Sequence, residues 1–141
     1  MLLLLVDDDD RDAFMFERSM QTVAPTARCH RVKTPAEAHW YLLGLGRFSD
    51  RDRYPLPRIV VVYLAMRGGT GAEFLEWIRA QSDFDNIRVC LFSRAPLDPA
   101  EEELFARATG CVFSKPESDE EWNAILQRII ASELAEHRGG T

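Results

Sequence analysis

No run of apolar residues in this chain approaches the ~20 that a membrane-spanning helix needs, and nothing basic precedes the apolar opening Met1-Leu2-Leu3-Leu4-Leu5-Val6. Acids follow at once, at Asp7-Asp8-Asp9-Asp10, with no small-residue cleavage site. Neither a membrane span nor a secretory signal is expected. Cysteine is scarce. Cys29, Cys90 and Cys111 are odd in number, far apart and never in a CxxC pair. That argues against a metal cluster and reads as reduced, mostly buried thiols of a cytoplasmic protein. His30, His39 and His137 show no ligand spacing either. Basic residues are outnumbered, 17 Lys and Arg against 23 Asp and Glu, for a net charge of −6. The chain therefore lacks the basic stripe of a duplex-DNA groove binder and is poorly suited to an anionic membrane. It holds no internal repeat, low-complexity segment or linker. Residues 1–141 are expected to form one domain, its core ending at about residue 135, with a frayed tail from His137 to Thr141.

What is present is an alternation of short apolar runs with amphipathic stretches. Leu2 to Val6 is unbroken, as a strand buried on both faces should be. Residues 10 to 23 carry Phe14, Phe16, Met20 and Val23 among charges and predict a helix. Ala27 to Val32 is a half-polar strand fit for an edge. Thr34-Pro35-Ala36-Glu37 has the pattern of a capping box, opening a helix through Trp40 to Leu43 that Gly44 and Gly46 end. Arg47 to Pro57 predicts a long polar loop. Arg58 to Tyr63 is the strongest strand signal. Gly68-Gly69-Thr70-Gly71 reads as a flexible turn, and Phe74, Leu75 and Ile78 then have helical spacing. Ile87 to Phe92 predicts a buried strand, Asp98-Pro99-Ala100-Glu101 a second capping box, and Gly110 to Phe113 a short strand. Ser118-Asp119-Glu120-Glu121 caps a last helix, with Trp122, Leu126 and Ile129 on its apolar face. Five βα units imply a parallel sheet with helices on both faces and right-handed crossovers. The fold class is α/β, a flavodoxin-like (βα)5 doubly wound sandwich.

In such sheets the functional crevice lies beyond the carboxyl ends of the strands. Strand one ends in Asp7-Asp8-Asp9-Asp10, strand three in Tyr63, strand four in Phe92-Ser93-Arg94 and strand five in Ser114-Lys115-Pro116. A bare acidic run is ordinarily a solvated turn or a helix N-terminus. Here its place after an apolar first strand puts Asp7 and Asp8 at the crevice and leaves Asp9 or Asp10 to cap. Two carboxylates can hold Mg²⁺, which prefers oxygen ligands. A lysine can neutralise phosphoryl oxygens, and a serine can donate to one. The nucleophile for phosphoryl transfer is missing, because Tyr63 is a neutral phenol where a carboxylate would form an acyl phosphate.

These residues resemble those of bacterial two-component response regulator receivers over nearly the whole chain. Val6-Asp7-Asp8 looks like the Mg²⁺-binding acidic pair. Ile59 to Gly71 looks like the third strand and its loop, Ser93 matches the hydroxyl position, and Lys115-Pro116 the Lys-Pro. The long loop after the second helix, with no output domain, is similar to the small regulators paired with bacterial phytochromes. Against that pattern Tyr63 stands at the phosphoacceptor aspartate, Arg67 where a proline is usual, and Val112 at the switching aromatic, with Phe113 one place off. The resemblance therefore implies a degenerate receiver acting through protein–protein contacts. It implies no required cofactor, at most weak Mg²⁺ at Asp7 and Asp8, a signalling partner such as a histidine kinase, and room for a homodimer. Tyr63 is expected to pack where a phosphoryl group would sit, and Lys115 to pair with Asp7 or Asp8.

Two other readings compete. In one, a conventional phosphorelay receiver uses another carboxylate, but no acid adjoins position 63. In the other, Asp7-x-Asp9, Ser93 and Lys115 belong to a haloacid-dehalogenase-type phosphatase. That pattern departs at Arg11, and its acidic motif after the lysine is absent.

Overall fold

The structure is a computed structural model that describes residues 1–66, 69–109 and 111–139. Its strands and helices follow one another as β1 (Leu2–Val6), α1 (Asp10–Val23), β2 (Arg28–Val32), α2 (Pro35–Leu43), β3 (Ile59–Tyr63), β4 (Ala65–Met66), β5 (Gly69–Thr70), α3 (Gly71–Arg79), β6 (Arg88–Ser93), α4 (Pro99–Thr109), β7 (Val112–Ser114) and α5 (Asp119–Gly139). Five strands form one parallel sheet in the order β2-β1-β3-β6-β7. The unbroken apolar runs of β1, β3 and β6 take the interior places, and half-polar β2 is an edge, as period and composition require.

Alternate residues of each strand supply two core layers. Leu2, Leu4, Val6, Val60 and Val62 pack with Tyr41 and Leu42 of α2, Phe74 and Ile78 of α3 and Phe105 of α4. Leu3, Leu5, Val61, Cys90 and Phe92 pack with Phe16 of α1 and Trp122, Leu126 and Ile129 of α5. At the amino ends of the strands, Glu133 of α5 accepts from Arg58 at 3.3 Å and from Arg88 at 3.1 Å, fastening the helix to the sheet.

Local signals set the element ends. Thr34 Oγ1 accepts the Glu37 N–H at 3.1 Å, and Gly44 closes α2 at φ 68°, a left-handed conformation that glycine adopts without penalty. The second capping box is reciprocal: Glu101 N–H donates to Asp98 Oδ1 at 2.8 Å and Asp98 N–H to Glu101 Oε1 at 3.2 Å. The loop after α2 contains a 3-10 turn at Gly46–Phe48 that buries Phe48. One side chain organises the loop: the Arg51 guanidinium donates to the carbonyls of Tyr41 at 2.8 Å, Leu42 at 2.6 Å and Tyr54 at 3.2 Å.

Two expectations are corrected. Cys90 and Cys111 are not thiols: their sulfurs are bonded, because in-register β6 and β7 bring the two Cα atoms to 4.8 Å. Cys29 is the free cysteine among the described residues. α5 runs to Gly139, and Gly140 and Thr141 lie outside the described residues. The glycine-rich turn is in part ordered, since β4 and β5 form an antiparallel pair, Ala65 with Thr70 and Met66 with Gly69. Arg67 and Gly68 lie outside the described residues. Among the described residues no helix is long and apolar enough to cross a membrane.

Candidate functional site in the crevice at the strand carboxyl ends

Asp7 leaves β1 with its N–H on the Val32 carbonyl, at 3.1 Å, and its side chain buried. Its Oδ1 accepts the Asp9 N–H at 3.0 Å, and Asp9 Oδ1 in turn accepts the Asp12 N–H at 2.9 Å as the N-cap of α1. This pair of local hydrogen bonds sets the entry angle of the helix and aims Asp12, in its first turn, back at the crevice. From the other side Lys115 follows β7, with its N–H on the Ser93 carbonyl at 2.8 Å. Its ammonium lies 2.7 Å from Asp7 Oδ2 and 2.7 Å from Asp12 Oδ2. The Tyr63 ring caps it, with Nζ 3.5 Å from the ring centroid, inside the range of a cation–π contact. Gly71 lets this loop close. A Cβ there would sit 2.9 Å from the Tyr63 carbonyl oxygen and 3.0 Å from Leu64 Cα, so only glycine brings α3 so near the end of β3.

Sequence reasoning offered Asp7 or Asp8 as the lysine's partner. The structure supplies Asp7 and Asp12, while Asp8 is half-buried. It also brings in Arg94, 2.5 Å from Asp12 and 3.7 Å from Asp9. Asp10 pairs outward with Arg31 at 2.8 Å and Lys33 at 3.6 Å. Burial raises the Asp7 carboxyl above its ordinary value, offset only in part by the hydrogen bonds from Lys115 and the Asp9 N–H. Burial also pushes Asp12 upward, but hydrogen bonds from Lys115 and Arg94 and their charges outweigh it and hold that carboxyl low.

Ser93 is buried and turns away from the acids, its hydroxyl donating to the Ala95 carbonyl at 2.6 Å. Val112 and Phe113 occupy opposite faces of β7. Val112 packs in the layer of α2, α3 and α4, whereas Phe113 lies against Phe92 at 5.8 Å in the layer of α1 and α5.

Asp7 and Asp12 are already engaged by donors of the chain. Asp7 has one oxygen on Lys115 and the other on the Asp9 N–H. Asp12 is shared by Lys115 and Arg94. Among the described residues no three His, Cys, Asp or Glu side chains gather as metal ligands do. A cleft of about 260 Å³ opens beside the site between Asp12, Arg94, Lys115 and Glu117.

The fold has close parallels among solved structures. A response regulator in red light signaling of R. palustris superposes with a TM-score of 0.81 at 20% identity, over 91% of this chain and 90% of that one. The chain has the receiver fold. The phosphorylated cyanobacterial phytochrome response regulator RcpA matches with a TM-score of 0.80 at 19% identity, over 96% of this chain and 94% of that one. The Mn(2+)-bound form of response regulator Rcp1 matches at 0.76 and 18% identity, over 91% and 90%. No protein-family model matches the sequence, and no curated protein does.

Proposed function

We propose that this chain is a receiver-type signalling protein of a two-component phosphorelay, in which Tyr63 stands at the phosphoacceptor position and output runs through protein–protein contact. One observation carries the reading: the crevice is closed on itself. Lys115, the residue that would meet a phosphoryl oxygen, is held at 2.7 Å by both Asp7 and Asp12 and is capped by the Tyr63 ring. Asp7, Asp9, Asp10 and Asp12 each meet a cation of the chain, at Lys115, Arg94, Arg31 or Lys33. Protein cations thus do the neutralising that Mg²⁺ would do, and Mg²⁺ binding is weak. In a working receiver the phosphoryl group draws the serine inward and an aromatic ring follows, a two-state element biased by charge. Here Ser93 is engaged with Ala95 and Val112 has no ring to move. Asp9 is spent on capping α1 and faces Arg94, which favours the receiver over the phosphatase. The partner is a signalling protein, a histidine kinase being the first to try.

The test is acetyl phosphate with Mg²⁺, read by intact mass. No hydroxylamine-labile adduct is expected on the wild type, and one would overturn the reading. In Tyr63→Asp, acceptor chemistry is expected to return without a change in kinase binding. Return of both would show the rest of the switch to be working.

A further inference from the structure

The bonded cysteines bracket the crevice. Cys90 lies on β6 three residues before Ser93, and Cys111 enters β7 four residues before Lys115. The register pairs Leu91 with Val112, so the bond crosses between direct neighbours, and the Leu91 N–H donates to the Cys111 carbonyl at 2.9 Å. Both cysteines are buried. β7 is three residues long and is the edge of the sheet, hydrogen-bonded on one side alone.

We propose that the Cys90–Cys111 bond is a redox-responsive clasp: reduction by a dithiol opens it and loosens the strand that delivers Lys115 to Asp7 and Asp12. The inference stands on the covalent geometry and does not depend on the proposed signalling role. Neighbouring strands sit ~4.7–4.9 Å apart whether or not they are cross-linked. The observed 4.8 Å between Cα atoms therefore suits both redox states, a condition for reversibility. The side chains are less tolerant. Two thiols must stand at van der Waals distance where one bond stood, among Phe92, Trp122 and Leu126, and a packed interior has no slack for that. β6 is paired on both sides and cannot give; β7 can. Its displacement carries Ser114 and Lys115 with it.

The chemistry is ordinary exchange. A donor thiolate attacks one sulfur and expels the other as a thiolate. The donor's second thiol then releases the mixed disulfide. Two electrons and two protons pass to Cys90 and Cys111, and the donor leaves as its own disulfide. Cys29 does not interfere: it sits on β2 at the far edge of the sheet, and burial pushes its thiol up to about 11.

The first measurement is alkylation of the protein, purified and denatured without reductant. One adduct is expected, at Cys29, and three after dithiothreitol; three adducts without reductant would overturn the proposal. The second is amide hydrogen exchange on the native wild type, oxidised and dithiothreitol-reduced. Exchange at the Phe113 and Lys115 amides, which face β6, is expected to rise at least tenfold on reduction, with β1 and β3 unchanged, and to fall back on reoxidation with glutathione disulfide. Equal exchange in the two states refutes the clasp. So does acceleration throughout the sheet, which would make the bond a staple of the whole fold, or a change that reoxidation fails to reverse. Cys90→Ala is expected to exchange like the reduced protein, and the wild-type comparison decides the question if that variant does not fold.

Discussion

Two buried ion clusters sit at opposite ends of one sheet, and they are built inversely. At the amino ends one carboxylate, Glu133, is shared by Arg58 and Arg88. At the carboxyl ends one ammonium, Lys115, is shared by Asp7 and Asp12. In the first, Arg58 reaches water, its side chain being 43% exposed. The second has a carboxylate to spare in a place where water is scarce, Asp7 and Lys115 being 3% and 2% exposed. Arg94 is therefore recruited from the end of β6 to complete it. Both clusters fasten a helix to the sheet. Only the second also stoppers a crevice, which is why its charges are packed so much more tightly.

The comparison breaks most easily at Lys115. Lys115→Met strands Asp7 and Asp12 without their shared cation, and removing one partner of a buried pair costs about 3–5 kcal/mol. Urea unfolding should show that loss. A smaller effect than at Glu133 would undo the contrast between the two ends. Glu133→Gln keeps the shape and loses the charge, and about 1.5–3 kcal/mol is expected from its charge-assisted hydrogen bonds, with acetyl phosphate reactivity unaltered. Tyr63→Leu removes the ring face over the ammonium and should cost about 1–2 kcal/mol for a desolvated cation–π contact. In a double-mutant cycle that coupling should vanish in the Lys115→Met background.

The subtlest difference lies in pH. Burial favours protonated Asp7 in the folded state, so its stabilising contribution is complete below the ordinary carboxylate value of 3.8 and is lost as pH rises through the raised folded value. Asp12 is the reverse: its folded value lies below 3.8, so its contribution is present above 3.8 and is lost as pH falls through the lowered value. The two slopes oppose each other. Asp7→Asn should therefore steepen the loss of stability on acidification below pH 5, as measured by urea midpoints from about pH 3 to 6.

The fold was legible because its strongest signals are local. An unbroken run such as Leu2 to Val6 has nowhere to go but an interior strand, and Thr34 to Glu37 carries its cap in four letters. Aligning the strand ends put Asp7, Asp8, Tyr63, Ser93 and Lys115 at one crevice; of these Asp7, Tyr63 and Lys115 meet, while Ser93 bonds to the Ala95 carbonyl. Asp12 was missed because an acid in a helix's first turn is already explained by the helix dipole. Its alignment with Lys115 depends on the angle at which Asp9 launches α1. Arg94 carried no signal beyond standing next to Ser93. The cysteine bond was misread for a related reason. The sequence separation of 21 from Cys90 to Cys111 says nothing of register, and only the parallel pairing of β6 with β7 brings the sulfurs together.

The guanidinium of Arg51 has a consequence for how this sequence can drift. It ties the last turn of α2 to the far end of the loop through three carbonyl oxygens, so the loop's path hangs on one side chain. Residues at its exposed tips, such as Ser49 and Asp52, should accept substitution. Insertions are tolerated where they bulge away from Arg51 and rejected where they lengthen the span between its anchors. Among descendants of this chain, that arginine should outlast nearly everything around it.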